Sequence, residues 1–416
     1  MKPAIAARIW LTRSFRPFLF KKGYDFNLNY QDIDSLGLYI HIPFCEHICS
    51  FCPYCKEIYD EVKANNYVDA LLSEIQLLGE QLKEKKEVTS LYFGGGSPAL
   101  VSERISEIIE TVCKYFIITE GIGIELHPDG VNVEKLKILK IAGITKISIG
   151  VQSFQRDCIS SLGRKNIDCN DLFKPLEKII FDTVSVDLIF AIPGQTFDSL
   201  KSDIDMAFSC GANHVAIYPF IDFSFSVSTV TGMSEREKHS LLDDITEYCE
   251  SKGYIRTSIW TYAKDKNKSY SSMTRDNFLG FGCSATTLLM EQFKINTFSV
   301  AEYIKRVNKN ELPTALTLRF TKHQRMIYYL FWTAYSTTVD PEAFKRFFGV
   351  SLTKMYGFEF LLCAVLGFIK KCDGKYMMTP KGAYYYHYFE QFYTLSYIDK
   401  MWGELRHCAF PNELRL

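Results

Sequence analysis

The sequence lacks a net charge, any internal repeat or low-complexity tract, and any paired framework for most of its cysteines. Each absence removes a class of protein. Forty-eight Lys and Arg balance forty-eight Asp and Glu, so no global electrostatic field argues for a nucleic-acid partner. No secretory leader is recognisable ahead of the cysteines. Thirteen cysteines is an odd number, and outside one cluster they are scattered, which suits metal-bound or catalytic thiols in a reducing, cytoplasmic setting better than a disulfide scaffold. What remains is ordinary globular composition, 47% hydrophobic and 23% charged over 416 residues, enough for one large domain and a smaller one.

Residues 1–24, "MKPAIAARIWLTRSFRPFLFKKGY", hold six Lys or Arg and no acid. Their apolar runs are too short to span a bilayer. Their helical pattern is poor and Pro17 would break it, so a tail packed on the body of the protein is expected, with a peripheral membrane contact as the alternative. From residue 36 to about 220 the chain alternates β-rich runs with helical ones. The strand candidates are 36–44, 88–96, 121–130, 145–154, 184–194 and 213–220; helical spacing of apolar residues fills 66–82, 101–116, 131–142 and 197–210. This alternation predicts βαβ crossovers, a parallel sheet and an α/β fold of the partial (β/α)6 barrel type, with ligand groups at the carboxyl ends of the strands. A long helix follows residue 234, then a strand-like 254–263, a polar loop at 264–277, and after about 310 helices with a hairpin turning at Asp373-Gly374, which predicts a small winged-helix-like module. The expected divisions are 1–35, 36–300 and 301–416.

"YIHIPFCEHICSFCPYCKE" (39–57) packs four cysteines into eleven residues. Cys45, Cys49 and Cys52 have C-x3-C-x2-C spacing and Cys55 adds another x2-C. A structural zinc site usually draws on two knuckles separated by a spacer, absent here. A redox C-x-x-C at 52–55 would leave Cys45 and Cys49 without a role. Three cysteines in one loop can hold three irons of a 4Fe–4S cube and leave the fourth open for a ligand. Spacing alone leaves these readings side by side.

Longer phrases add a resemblance. "YIHIPFC" (39–45), "YFGGGSP" (92–98), "ISIGVQSF" (147–154), "LGR" (162–164) and "DLIFAIPGQT" (187–196) resemble, in order and interval, the blocks of radical S-adenosylmethionine enzymes of the oxygen-independent coproporphyrinogen III oxidase-like family. That family includes a haem chaperone and class C methyltransferases. The likeness covers residues 36 to about 290. It implies a 4Fe–4S cluster on Cys45, Cys49 and Cys52, and S-adenosylmethionine cleaved to a 5′-deoxyadenosyl radical with one electron from an external flavodoxin- or ferredoxin-like donor. It also implies cofactor contacts: backbone at Gly95 and Gly96, the Ser97 hydroxyl, a Glu125 carboxylate for the cationic end, Gln152 and Arg164 for the carboxylate and ribose, Asp187 for the ribose hydroxyls, and Tyr39 and Tyr218 on the adenine or cluster pocket. Arginine suits the carboxylate because its fork can meet both oxygens.

Cys55 departs from the decarboxylase pattern, in which one residue separates the third and fourth cysteines. "MTRDNFLGFGCSA" (273–285) lacks the His and Tyr-Trp of the haem chaperone segment, so chaperoning is not expected. Arg256, Lys264 and Arg275 are the candidates for meeting porphyrin carboxylates. Aromatic residues make up 15% of the chain, which favours C-methylation of a flat conjugated substrate, a quinone or a porphyrin, with oxidative decarboxylation as the alternative. The dense "AYYYHYFEQFYTLSY" (383–397) reads as helix packing before substrate wall.

Overall fold

Parallel strands cannot be joined by tight turns, so alternating strand and helix runs must carry each helix across the back of the sheet. The computed structural model, which describes residues 3–22, 28–164, 172–226, 232–265 and 276–416, has this arrangement. Six strands, β1 (Gly37–Ile42), β2 (Leu91–Gly95), β3 (Ile122–Leu126), β4 (Lys146–Gln152), β5 (Thr183–Phe190) and β6 (His214–Pro219), run parallel, each paired with the next. Helices Glu61–Gly79, Ser102–Tyr115, Val133–Ile141 and Phe197–Ser209 fill the crossovers, with two short helices, Arg156–Ser161 and Lys174–Lys178, between β4 and β5. The α/β partial barrel expected from the alternation is the observed fold.

Local chemistry sets these elements. One face of each strand is apolar and lies under the helices: Ile147, Ile149 and Val151 of β4 and Val186, Leu188 and Phe190 of β5 are fully buried, while the alternate positions Ser148, Gln152 and Asp187 face the barrel interior. Helix starts are capped by side chains, Asp60 and Asn132 each accepting from the backbone two or three residues into the first turn, and Thr196 forming a reciprocal capping box with Ser199.

The sheet does not stop at six strands. Strand Phe278–Phe281 pairs parallel to β1, and antiparallel strands Thr286–Leu288, Gln292–Asn296 and Thr314–Arg319 continue outward to Leu19–Lys21 and Glu413–Arg415. One sheet thus runs across positions 35 and 300. The strand-like 254–263 is two short strands, Ile255–Ser258 and Thr261–Ala263, folded onto β6. Most of the polar loop expected at 264–277 lies outside the described residues.

The N-terminal segment packs on the body of the protein as expected, but the reading of a poor helical pattern needs correcting: Pro3–Thr12 is a helix, which ends short of Pro17 and packs against helix Lys322–Tyr335. Trp10 and Arg13 donate to the Glu359 carboxylate at 2.8 and 2.5 Å, and the Tyr356 hydroxyl donates to Leu11 O. The C-terminal module contains helices Lys322–Tyr335, Pro341–Phe348 and Leu352–Val365, then a hairpin of Ile369–Cys372 and Lys375–Met378. The hairpin turns at Asp373 (φ 47) and Gly374 (φ 79), the two left-handed positions such a turn requires. Helix Pro380–Tyr393 then passes through a wider turn at Thr394–Ile398 into helix Asp399–His407.

A buried carboxylate ties the barrel to the strands beyond it. Glu74 accepts from Gly282 N–H (2.7 Å), Asn296 Nδ2 (2.9 Å) and the Tyr303 hydroxyl (2.7 Å), with Lys294 buried beside it. Burial raises the Glu74 pKa and lowers that of Lys294, while each group's charge favours ionisation of the other. Glu74→Ala should strand Lys294 and three donors and cost about 3 kcal/mol, read as a lower urea midpoint; an unchanged midpoint would show that the network adds nothing to stability.

Candidate functional site

The carboxyl ends of the six strands open onto one chamber of about 710 Å³, whose mouth side is built from the cysteine loop. Cys45, Cys49, Cys52, Gly95, Gly96, Ser97, Glu125, Gln152, Arg164, Asp187 and Tyr218 all line it. Tyr39 does not. It sits behind the wall on β1, stacked on Tyr92 with ring centroids 6.3 Å apart and hydrogen-bonded to His41 Nδ1 at 3.0 Å. This is a correction: Tyr39 lies on the same face of the sheet as its register partner Tyr92, but its ring is packed against Tyr92, Gly94 and Glu125, which stand between it and the open space.

The cysteine loop leaves β1 and returns through a two-residue parallel bridge, Phe44–Cys45 against Glu57–Ile58. Cys45, Cys49 and Cys52 are free thiols on the chamber wall. Burial, reinforced by Cys52, pushes the Cys45 thiol up to about 12, with a hydrogen bond from Ser97 opposing. The Gly96 turn of "GGGSP" presses against the loop: a Cβ there would lie 2.5 Å from Phe44 O and 2.9 Å from Cys45 Sγ. Gly95 (φ 119) adopts a backbone that L side chains avoid. Three thiols on one loop with a side-chain-free backbone beside them fit a cluster held on one side and open on the other.

Cys55 is not a fourth member. It is buried with its sulfur 3.3 Å from Cys283 Sγ and 3.1 Å from Phe298 O. His47 lines the chamber beside the thiols.

Two of the carboxyls that line the chamber, Glu125 and Asp187, stand on strands β3 and β5 and are desolvated. Glu125 accepts from the Tyr92 hydroxyl (3.0 Å) and Gly95 N–H (3.1 Å), and Asp187 accepts from the Ser148 hydroxyl (2.8 Å). Desolvation raises both to about 7, and Asp187 adds to the shift of Glu125. Two such groups on one wall suit a cationic ligand. Arg164 donates from Nη1 to Gly150 O (2.6 Å), while its buried Nε has no hydrogen-bond partner among the described residues. That orphaned donor suits a carboxylate or hydroxyl. Gln152 ends β4 in the left-handed region (φ 74), strain of the kind that collects at functional sites. Its Nε2 folds back over Gly150, where a Cβ would come within 3.0 Å. These groups match the ammonium, sulfonium, carboxylate and hydroxyls of S-adenosylmethionine.

The other half of the chamber is aromatic and was mostly missed. Tyr328, Trp332 and Tyr335 come from one helix; Tyr393, Tyr397 and Trp402 come from the C-terminal helices; Trp260 stands edge-on to Tyr218 at 6.0 Å. The stripe at 383–397 therefore divides. Tyr385 and Tyr386 pack on Phe368 and Phe331, as helix packing would have it, but Tyr393 and Tyr397 stack 5.4 Å apart on the chamber wall. The signal was the continuation of helical spacing through 390, 393, 394, 397, 401 and 402. Phe18 and Phe20 of the basic N-terminal segment also face the chamber. Glu390 is buried among these rings; it accepts from the Thr394 hydroxyl (2.8 Å), its Oε2 has no partner among the described residues, and burial pushes it up to about 7.

The basic groups expected for porphyrin carboxylates do not gather there. Arg256 donates to Ser258 O and Ile259 O, and Lys264 to Phe208 O, and neither basic side chain lines the chamber; Arg275 lies outside the described residues. The described basic side chains on the wall are Lys56, Lys135 and Arg164, with His47 and His127.

A parallel partial barrel with a three-cysteine loop after its first strand and carboxyls on its third and fifth defines the class. Residues 39–207 match the Radical SAM superfamily. That stretch carries a radical S-adenosylmethionine domain, and members of that superfamily use a 4Fe–4S cluster and S-adenosylmethionine. It is 27% identical over 362 residues to the heme chaperone HemW of Bacillus subtilis, covering 83% of this chain and 95% of that one. It is 26% identical over 306 residues to the oxygen-independent coproporphyrinogen III oxidase of Cereibacter sphaeroides, covering 67% and 68%. Its fold is that of coproporphyrinogen III oxidase (HemN) from Escherichia coli, with a TM-score of 0.76 and 19% identity over 94% of this chain and 98% of that one. Relatives named as haem chaperones thus stand beside those named as oxidases, although the chaperone segment expected at 273–285 is missing.

The pKa shifts predict a pH effect. Below about pH 7 Glu125 and Asp187 hold protons in the ligand-free fold that the unfolded chain releases in the ordinary carboxylate range, so stability of that state falls as pH rises through this interval. Ionisation of the same groups favours a cationic ligand. Affinity for S-adenosylmethionine should rise roughly tenfold from pH 6 to pH 8 and flatten in Glu125→Gln, measured by calorimetric titration; equal affinity at both pH values would remove these carboxyls from cofactor binding.

Proposed function

We propose that this chain is a radical S-adenosylmethionine enzyme acting on a flat conjugated ring of the tetrapyrrole class, with carboxylates gathered on one edge. The carrying observation is the division of the chamber: described basic groups stand only near the cysteine loop and the barrel strands, and the remainder is mostly aromatic and aliphatic. A ring with four carboxylates around its rim would bury some of them among Trp332, Tyr393 and Tyr397 without a cation. A ring with its acids on one edge would meet Lys56 and Lys135, leaving Arg164 to the cofactor, and lay its apolar body on the aromatics. The relatives' names, a haem chaperone and a coproporphyrinogen oxidase, both belong to tetrapyrrole handling.

When bound, the cluster supplies the electron, delivered by an external flavodoxin- or ferredoxin-like donor, that cleaves S-adenosylmethionine to the 5′-deoxyadenosyl radical. The residues of this chain then have separate tasks. Cys45, Cys49 and Cys52 hold the cluster and release their protons to do so. Glu125 and Asp187 offset the cofactor's positive charge, Arg164 and Gln152 grip its carboxylate and ribose, and the Gly95-Gly96-Ser97 backbone admits it closely. Tyr218 and Trp260 stand where cofactor and ring would meet, and the aromatic half excludes water from the radical.

Methylation of an sp2 carbon gains nothing from the relatives' names, and a quinone is less well matched than a tetrapyrrole. A second reading, haem binding without turnover, is favoured by the HemW relative at 95% coverage of its length. Anaerobic, cluster-reconstituted protein with S-adenosylmethionine and a reductant should yield 5′-deoxyadenosine, and Cys49→Ala should yield none. Mass spectrometry with coproporphyrinogen III, haem or a menaquinone then separates loss of carbon dioxide, gain of one methylene, and stable binding without change. Trp332→Ala should raise KM for the accepted ring roughly tenfold while leaving cofactor cleavage alone. Ring-independent kinetics in that variant would remove the ring from the aromatic half.

A further inference from the structure

Helix Leu352–Val365 of the C-terminal module is apolar nearly all round, "LTKMYGFEFLLCAV". Such a helix is normally buried on all sides. Here only Leu352 and Tyr356 are buried; Phe358, Leu361 and Val365 are 63%, 62% and 76% exposed, and Leu362 and Leu366 are also exposed. Beyond a kink at Tyr356 (φ −137), the spacing 358, 361, 365 places three of these side chains on one stripe. Exposed Trp10 of the N-terminal helix extends it, with its ring 6.3 Å from that of Phe358. A contiguous apolar surface of this kind marks a binding face.

Charge decides what covers it. Residues 1–24 carry six basic groups and no acid, and residues 341–381 carry seven basic groups against three acids, in a chain whose total charge is zero. Both basic segments meet at this stripe. Arg13 lies over Trp10 and occupies Glu359, the acid on this helix, while Lys381 lies over Phe368 at the other end. Lys370 and Lys371 are exposed on the adjoining hairpin. A second copy docking here would set one basic rim against another. An apolar stripe within a basic rim fits an anionic lipid surface, where the rings and leucines enter the headgroup boundary and the cations meet phosphates.

We infer that the stripe Trp10–Phe358–Leu361–Val365, with its basic rim, is a docking face for anionic membranes. It is independent of which ring the chamber takes. Full-length protein should co-float with phosphatidylglycerol-containing vesicles, far less with pure phosphatidylcholine, and less at high salt. Leu361→Glu with Val365→Glu should weaken flotation roughly tenfold with an unchanged urea midpoint and unchanged cofactor cleavage. Lys370→Glu with Lys371→Glu, a surface change that leaves the stripe intact, should abolish the preference for anionic lipid. Absence of flotation by the wild type, or flotation indifferent to both variants, overturns the inference. So does a dimer in light scattering that the first variant dissolves, which would give the stripe to a second copy.

Discussion

Four backbone hydrogen bonds hold the cysteine loop to the barrel, and the site depends on them. Gly96 N–H donates to Ile42 O (2.8 Å) and Ser97 N–H to Phe44 O (2.7 Å), so the turn after β2 grips the outgoing leg of the loop. Glu57 N–H donates to Pro43 O (2.6 Å) and Tyr59 N–H to Cys45 O (2.9 Å), closing the return leg. Glycine at 96 is what permits the approach, since any side chain would occupy the space of Phe44 O and Cys45 Sγ. Through these bonds the register of β1 on β2 sets where the thiols face.

The chamber behind the loop joins two kinds of surface made by different means. The cofactor side comes from strand ends, so its groups are spaced by the strand separation of a parallel sheet and fall in chain order. The aromatic side comes from Trp260 and from helices and strands that return after residue 277, together with Phe18 and Phe20 from the opposite end of the chain. The strand Leu19–Lys21 sits between Thr314–Arg319 and Glu413–Arg415, which brings both termini to that wall. The two sides of the chamber are thus built by separate parts of the chain.

The barrel and its cofactor side were legible because both rest on local order. A strand–helix alternation and motifs at successive strand ends need only the parallel pairing rule to converge, and eleven of the twelve residues singled out do line the chamber. Tyr39 failed because its face is right but Tyr92 and Glu125, from neighbouring strands, pack over it, a contact that its own strand does not encode. The basic groups Arg256 and Lys264 failed for another reason: charge near a strand end was legible, but the backbone carbonyls that would claim those side chains were not.

What the sequence by itself determined is therefore the partial barrel, the cysteine loop and the order of polar groups along the strand ends, since these follow from residue type and short-range periodicity. Only the tertiary structure decided that Tyr393 and Tyr397 face a chamber while Tyr385 and Tyr386 pack against other rings, that Glu390 is buried among them, and that the N-terminal phenylalanines close the wall. An aromatic stripe has the same periodicity whether its partner is another helix or a ligand. The difference lies in contacts between segments hundreds of residues apart, which no local pattern encodes.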